Sequence, residues 1–316
     1  MRLRLLIAGL LALLLAIAAA CGGGGSSAGS PVPRTPAATP SPGAPPFPVT
    51  ITDSQGKEVT LQAQPQHIVA LAPSFAETLF AIGAGDAIVA VDENTNYPSE
   101  AAAKTKVSGF QPSVEGIAGL QPDLVLIFFD PGGVQDALQQ LGIPVLFLAT
   151  PATVEGVLEQ IEILGKASGH ASDAASLAGE MRKGIKALTD KLADVAQGPR
   201  VFHELDPSLF TTCPGEFTHD MYVLLKAQNI AAGVSGLCQM SNEAVIQADP
   251  EVIILADEPA GESAQTVAAR PGWDQIAAVR SGRVEAVDPD IVSRPGPRLV
   301  EAMKVLARAL YPERFP

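Results

Sequence analysis

From residue 49 onward, apolar positions follow two alternating rhythms. "VTITD" and "KEVTLQA" place apolar residues at every second position around the turn "SQG", the pattern of a hairpin. "HIVALAP" is a short unbroken apolar run and reads as a buried strand. "SFAETLFAIG" has helical spacing, with a Ser-x-x-Glu capping box expected at Ser74 and Glu77 and a stop at Gly83. "AIVAVD" is the next strand, and strand–helix–strand at this spacing requires a parallel crossover. A helix from Ser113, the strand "LVLIFF", the helix "VQDALQQLG" and the strand "PVLFLA" continue the series.

After Thr153 the rhythm changes. "TVEGVLEQIEILGKASG" precedes a proline-free stretch, residues 171–197, in which Leu177, Met181, Ile185, Leu188, Leu192 and Val195 recur at steps of four and three. As one helix it would span roughly 40 Å, which is long for a crossover within a lobe; it reads as a covering helix or as a strut between two lobes. The first rhythm then restarts with the strand "VFHELD", the helix "GEFTHDMYVLLKA", the strands "EVIILAD" and "RVEAVD" and a last helix, "RLVEAMKVLARALY". The fold class expected is α/β, with lobes at 48–170 and 199–316 and a connecting helix at 171–198.

One unit occurs twice. "SVEGIAGLQPDLVLI" from Ser113 and "SNEAVIQADPEVIIL" from Ser241 align without a gap, matching Glu115 with Glu243, Pro122 with Pro250 and Asp123 with Glu251. Each lobe thus carries the same short helix and strand. A glutamate in a first helical turn is favoured by the helix dipole alone, so the match leaves a structural reason open beside a functional one.

The amino terminus changes the picture of where this chain works. "MRLR" and the apolar "LLIAGLLALLLAIAAA" read as a signal peptide, residues 1–20, too short for the roughly 20 apolar residues that span a bilayer. Cys21 directly follows and resembles the lipid-accepting cysteine of a bacterial lipobox, although Ala18 stands where leucine is usual. Residues 21–47 are dominated by Gly, Ser, Pro and Thr and read as a tether with a mean reach of roughly 25–30 Å. The expected location is extracytoplasmic, anchored by lipid. The 316-residue chain carries a net charge of −13, or −15 once Arg2 and Arg4 leave with the signal peptide, and no basic run interrupts it. Nucleic acid is excluded as a partner on that ground.

Several phrases in order resemble one family: "HIVALAPSFAETLFAIGAGDAIVAVD", "NYPSEAAAKTKVSGF", "GLQPDLVLI", "PGWDQIAAVRSGRVEAVD" and "SRPGPRLVEA". Together, from Val49 to Tyr311, they are similar to the periplasmic binding proteins that deliver cobalamin and iron chelates to ABC importers. His67 departs from that pattern, where arginine is frequent. The resemblance implies two α/β lobes joined by one long helix, a ligand cleft between them and a modest hinge motion. It implies a monomer working with a permease and its ATPase on a small-molecule chelate, with no cofactor and no catalysis. It also implies that Glu115 and Glu243 dock onto permease arginines, a pairing suited to bidentate carboxylate–guanidinium geometry.

Cleft candidates are Ser74, Tyr97, Phe110, Phe128, Phe129, His203, Glu204, Phe210 and Arg294. Tyr97 and Phe110 lie in loops resembling those that carry ligand-facing aromatics in the family. Arg294 would meet an anionic ligand group or tie down its own loop. His203 and Tyr97 are candidate haem ligands, which keeps a haem importer component as an alternative cargo reading; a ligand-sensing surface receptor is the alternative role. The four histidines show no close metal spacing, so no bare metal site is expected. Neither a G-x-S-x-G elbow nor a helix-opening glycine fingerprint is present, which argues against an enzyme. With Cys21 committed to lipid, Cys213 and Cys238 form an even pair outside the cytoplasm, expected as a disulfide; two free thiols, or a soft-metal pair with Met240 nearby, are the alternatives.

Overall fold

The short apolar runs become two parallel sheets, each with both faces covered by helices. The computed structural model describes residues 47–234 and 236–316. The signal peptide, Cys21 and all but the last residue of the tether lie outside them. A hairpin of β1 (Val49–Thr52) and β2 (Glu58–Leu61) comes first. The first lobe is a five-stranded sheet in the order β5-β4-β3-β6-β7. Its strands are β3 (Ile68–Ala70), β4 (Ile88–Asp92), β5 (Thr105–Val107), β6 (Leu124–Ile127) and β7 (Val145–Phe147). The crossovers are α1 (Pro73–Ala81), α2 (Ser99–Ala102), α3 (Val114–Gly119) and α4 (Val134–Gln140). Next come α5 (Val154–Ser168) and α6 (Ala171–Asp190). The second lobe holds β8 (Arg200–Glu204), α7 (Phe217–Leu224), β9 (Gln228–Asn229), α8 (Asn242–Ala248), β10 (Val252–Leu255), α9 (Ala264–Ala268), α10 (Ala277–Ser281) and β11 (Val284–Ala286). Its strands run in the order β11-β10-β8-β9, and α11 (Pro289–Val292) and α12 (Leu299–Leu310) close the chain. Among the described residues no helix is long and apolar enough to cross a membrane.

Strand alternation decides which core each side chain joins. Val69, Val125 and Ile127 pack on the outer face of the first sheet, and Phe202, Ile253 and Leu255 pack with Trp273 on the outer face of the second. The opposite faces do not make separate cores. Ile68, Leu124 and Leu126 of one sheet and Val201, Val252 and Ile254 of the other share a single cluster with residues of α1, α5, α6, α7 and α12. Wide opening of the lobes would expose part of that shared core to water, which the hydrophobic effect opposes. Helix α6 carries the chain from one lobe to the other, lying back along α5. Gly165 permits the close approach, since a Cβ there would overlap that of Ala174. Arg182 of α6 also pairs with Glu155 at 2.5 Å and Glu162 at 3.0 Å on α5.

Two expectations fail in instructive ways. The connecting helix stops at Asp190 after 20 residues, and residues 191–194 form turns in place of its predicted last stretch. The capping box at Ser74 and Glu77 does not form. Pro73 occupies the first turn, moving the N-cap to Ala72, which has no side-chain acceptor, and Glu77 is drawn instead to two arginines of the other lobe.

The repeated unit is the same in three dimensions. Ser113 and Ser241 each cap their helix, accepting from Gly116 N at 3.1 Å and Ala244 N at 3.2 Å. Gln121 and Asp249, each before the shared proline, both adopt left-handed backbone, with φ of 52° and 45°. The acid after the proline then clamps the strand beside it. Asp123 accepts from His67 N at 2.9 Å at the start of β3, and Glu251 accepts from Arg200 N at 3.0 Å at the start of β8. Glu115 and Glu243 are exposed, and among the described residues neither makes an ion pair.

Candidate functional site

The carboxyl ends of the first sheet open onto a cavity of about 400 Å³. Ala72, Asp92, Phe128 and Leu148 sit at or just beyond the ends of β3, β4, β6 and β7 and form one wall. Asp290 on α11 and Ser293, Arg294 and Pro295 after it face them from the second lobe, while Thr150 and Gln160 lie alongside. Strand ends facing a neighbouring lobe are where open α/β folds bind ligands.

Phe110 dominates the apolar side. It is 55% exposed and meets Phe128 edge-to-face, with ring centroids 5.5 Å apart; Phe129 completes the cluster at 6.1 and 6.4 Å. Buried Asp92 sets its position, accepting from Asn94 N at 2.8 Å and from Gly109 N at 2.9 Å. Only glycine fits at 109, because a Cβ would stand 2.6 Å from both Asp92 Oδ2 and the carbonyl oxygen of Leu71.

The polar side is occupied by ion pairs within the protein. Glu77 on α1, buried, accepts from Arg298 Nε and Nη2 at 2.9 and 2.8 Å and from Arg294 Nη1 at 2.9 Å. Arg294 also donates to Asn96 Oδ1 at 2.8 Å, the Asn94 carbonyl at 3.1 Å and Asp290 Oδ1 at 2.5 Å. Of the two roles open to Arg294, the geometry is that of a tie, and it joins the lobes to each other as well as fixing its own loop.

The other candidates divide. Ser74 lines the cavity together with Phe110, Phe128 and Arg294. Phe129 supports the aromatic cluster from outside the lining. Tyr97 lies under the Arg298 guanidinium, 4.4 Å from the ring centroid. His203, Glu204 and Phe210 do not line the cavity. His203 is sealed in β8 with Nδ1 2.7 Å from the Tyr222 hydroxyl, and burial pulls its pKa down to about 4. Glu204, on the opposite face, holds Arg270 in a two-pronged ion pair. Beside it Asp257 is buried with no hydrogen-bond partner for either oxygen among the described residues, and burial and the Glu204 charge push its pKa up to about 7. Phe210 is half-buried and pairs through its backbone with Gln239.

Cys213 and Cys238 form a disulfide across a separation of 25 residues, worth about 3–4 kcal/mol in the chain-entropy model. It ties the loop before α7 to the loop before α8, and hence to the segment carrying Glu243. Sequence reasoning missed Gln160, Asp92, Glu77 and Arg298. Gln160 had a signal: it is the one polar side chain between Val157, Leu158, Ile161 and Leu164 on the buried face of α5.

Two lobes, a shared helical layer and an aromatic cleft at strand ends define a two-lobed solute-binding protein. The chain belongs to the periplasmic binding protein family, whose sequence profile matches residues 68–291. It is 37% identical over 277 residues to YvrC of Bacillus subtilis, an uncharacterized ABC transporter substrate-binding lipoprotein, covering 85% of this chain and 87% of the relative. It is 33% identical over 279 residues to a cobalamin-binding protein of Halobacterium salinarum, covering 84% of this chain and 74% of that one. The periplasmic haem-binding protein RhuT of Roseiflexus sp. RS-1, in apo form, superposes with a TM-score of 0.71 at 25% identity, covering 79% of this chain and 99% of its own.

Proposed function

We propose that this protein is the substrate-binding component of an ABC importer, held at the outer face of the membrane by lipid on Cys21. Its cargo is a neutral, cobalamin-like chelate. The observation that carries the ligand reading is the charge balance of the cleft: Asp92, Asp290 and Arg294 are each already bound by protein groups. An anionic ligand, such as haem with its carboxylates, would need a cation to replace water around its charge, and Arg294 serves Glu77 and Asp290 instead. His203 is sealed from the cavity, which removes it as an axial ligand. A large ring with an apolar face suits Phe110 and Phe128. The similarity to the cobalamin-binding protein of Halobacterium salinarum supports the same reading.

The docking role of Glu115 and Glu243 is supported by what the repeat does with its other polar residues. Both serines cap helices and both acids after the prolines clamp strands, so the fold uses each of them. Among the described residues the Glu243 side chain makes no hydrogen bond or ion pair, and Glu115 accepts only from the Ser113 hydroxyl, at 3.5 Å. Glu115→Ala or Glu243→Ala is expected to lower uptake of ligand into cells by about tenfold or more, the scale of losing one partner of a buried charge pair. Ligand affinity of the isolated protein should stay within about twofold of the parent's, far below the tenfold that one lost interaction of 1.4 kcal/mol produces. Loss of ligand binding by the isolated double variant would instead assign these residues to the pocket.

A further inference from the structure

The first turn of α1 meets the cavity wall with one backbone donor left over: Pro73 has no N–H, and the Phe75 and Ala76 N–H groups donate to the Ala72 carbonyl at 3.2 and 3.4 Å. Ala72, the N-cap, offers no side-chain acceptor, and among the described residues nothing accepts from the Ser74 N–H. The Ser74 side chain is nine-tenths buried, at 5% exposure, lines the cavity, and its hydroxyl has no partner among the described residues. Opposite it stands Gly296, where a Cβ would come within 3.5 Å of Ser74 Cβ, so the second lobe presents backbone there. Gln160 supplies the complementary group. It is 7% exposed and also lines the cavity. Its Nε2 donates to the Ala149 carbonyl at 2.9 Å, and a carbonyl can only accept, so the amide orientation is fixed. Its Oε1 is left as an acceptor with no partner among the described residues.

The cavity therefore holds two neutral donors at a helix N-terminus and one neutral acceptor, and no uncommitted cation among its described lining. We infer that Ser74, the α1 N-terminus and Gln160 form a subsite for a primary carboxamide on the rim of the ligand. The carboxamide oxygen accepts from the Ser74 N–H and hydroxyl, where the helix dipole favours partial negative charge. Its NH2 donates to Gln160 Oε1. A carboxylate would satisfy the donors but set its charge against Oε1 with no counter-ion. A hydrocarbon edge would bury three polar groups unpaired, which buried polar groups do not tolerate. The subsite rests on the reading of a neutral, amide-rimmed chelate and selects among such ligands by where their amides stand.

Cyanocobalamin, with a rim of primary carboxamides, and its monocarboxylic acids, each with one amide hydrolysed, are the probes. Calorimetry would be run on the wild-type folded domain and on Ser74→Ala and Gln160→Leu, with melting temperatures confirming that each variant folds. Each substitution is expected to weaken cyanocobalamin binding by about 5- to 30-fold, the range of one or two lost hydrogen bonds. One monocarboxylic acid should bind the wild type weakly and the two variants no more weakly than that, because its changed group is the one seated in the subsite. Folded variants that bind cyanocobalamin with wild-type affinity would overturn the subsite and leave the ligand reading standing. A monocarboxylate series bound uniformly by the wild type would do the same. No cyanocobalamin binding by the wild type would overturn the ligand reading and the subsite with it.

Discussion

Glu77→Ala is expected to destabilise the folded domain by about 3–5 kcal/mol, the penalty of leaving buried charges without their partner. The carboxylate is 1% exposed, and the two guanidinium groups it serves, Arg294 and Arg298, are 12% and 15% exposed. Removing it leaves Arg298 with no carboxylate partner among the described residues and Arg294 with Asp290 alone, in a space that water fills poorly. Because Glu77 stands on α1 and both arginines on the second lobe, the loss falls on the contact between lobes at the mouth of the cavity. Ligand affinity should fall together with stability, and Glu77→Gln, which keeps hydrogen-bond acceptor capacity without the charge, should lose less of both. Denaturant unfolding measures the first and calorimetry the second. A change below about 1 kcal/mol for Glu77→Ala, the scale of an exposed ion pair, would mean that the cluster is solvated and does not hold the lobes.

The second large effect concerns pH. His203 titrates near 6.5 when unfolded and near 4 when folded, so between those values the unfolded chain binds more protons. Its contribution is complete above pH 6.5 and is lost as pH falls toward 4, a span of about 3 kcal/mol. Asp257 behaves oppositely. Its folded pKa is near 7 and its unfolded value near 3.8, so the folded state holds the extra proton and stability from this group declines as pH rises through that window. The two slopes oppose each other over nearly the same range. Measured as differences from wild type, His203→Gln should therefore remove a stability gain that accompanies rising pH, and Asp257→Asn should remove a stability loss. Unfolding curves between pH 4 and 7.5 decide this. Difference curves of equal sign for the two variants would contradict it.

How much of this was legible in the sequence follows from the range of the interactions involved. The buried strands β3, β6 and β10 were readable because four aliphatic residues in a row need no distant partner to explain them. The repeated unit was readable for the same reason: cap, proline and strand lie within fifteen residues. The strand β5, with Thr105 and Lys106 exposed, and the two-residue β9 carry no such apolar signal. The end of α6 was missed because Leu192 and Val195 keep the helical spacing while packing from turns. Glu77 was misassigned because a local partner, Ser74, fitted a known motif, whereas its actual partner Arg294 is 217 residues away. Of the cleft aromatics, Phe110 was expected from its loop and Phe128 from its place at the end of a strand. Gln160 was not, since its place among the apolar positions of α5 marks it as unusual without revealing the cavity that it faces. His203 and Glu204 pointed to the right end of the right strand, but alternation turns one toward Tyr222 and the other toward Arg270, leaving neither on the cavity wall.

The central claim is that the cleft captures a neutral chelate by aromatic and amide contacts, without a free cation. Isothermal titration of the purified domain, lacking the signal peptide and Cys21, with cyanocobalamin, haem, a ferric hydroxamate, free ferric ion and a sugar tests it in one series. Cyanocobalamin is expected to bind most tightly, with a negative heat-capacity change from burial against Phe110 and Phe128, and haem, free ion and sugar to bind weakly or not at all. Tight binding of haem, a sugar or the free ion with no response to cyanocobalamin would contradict it.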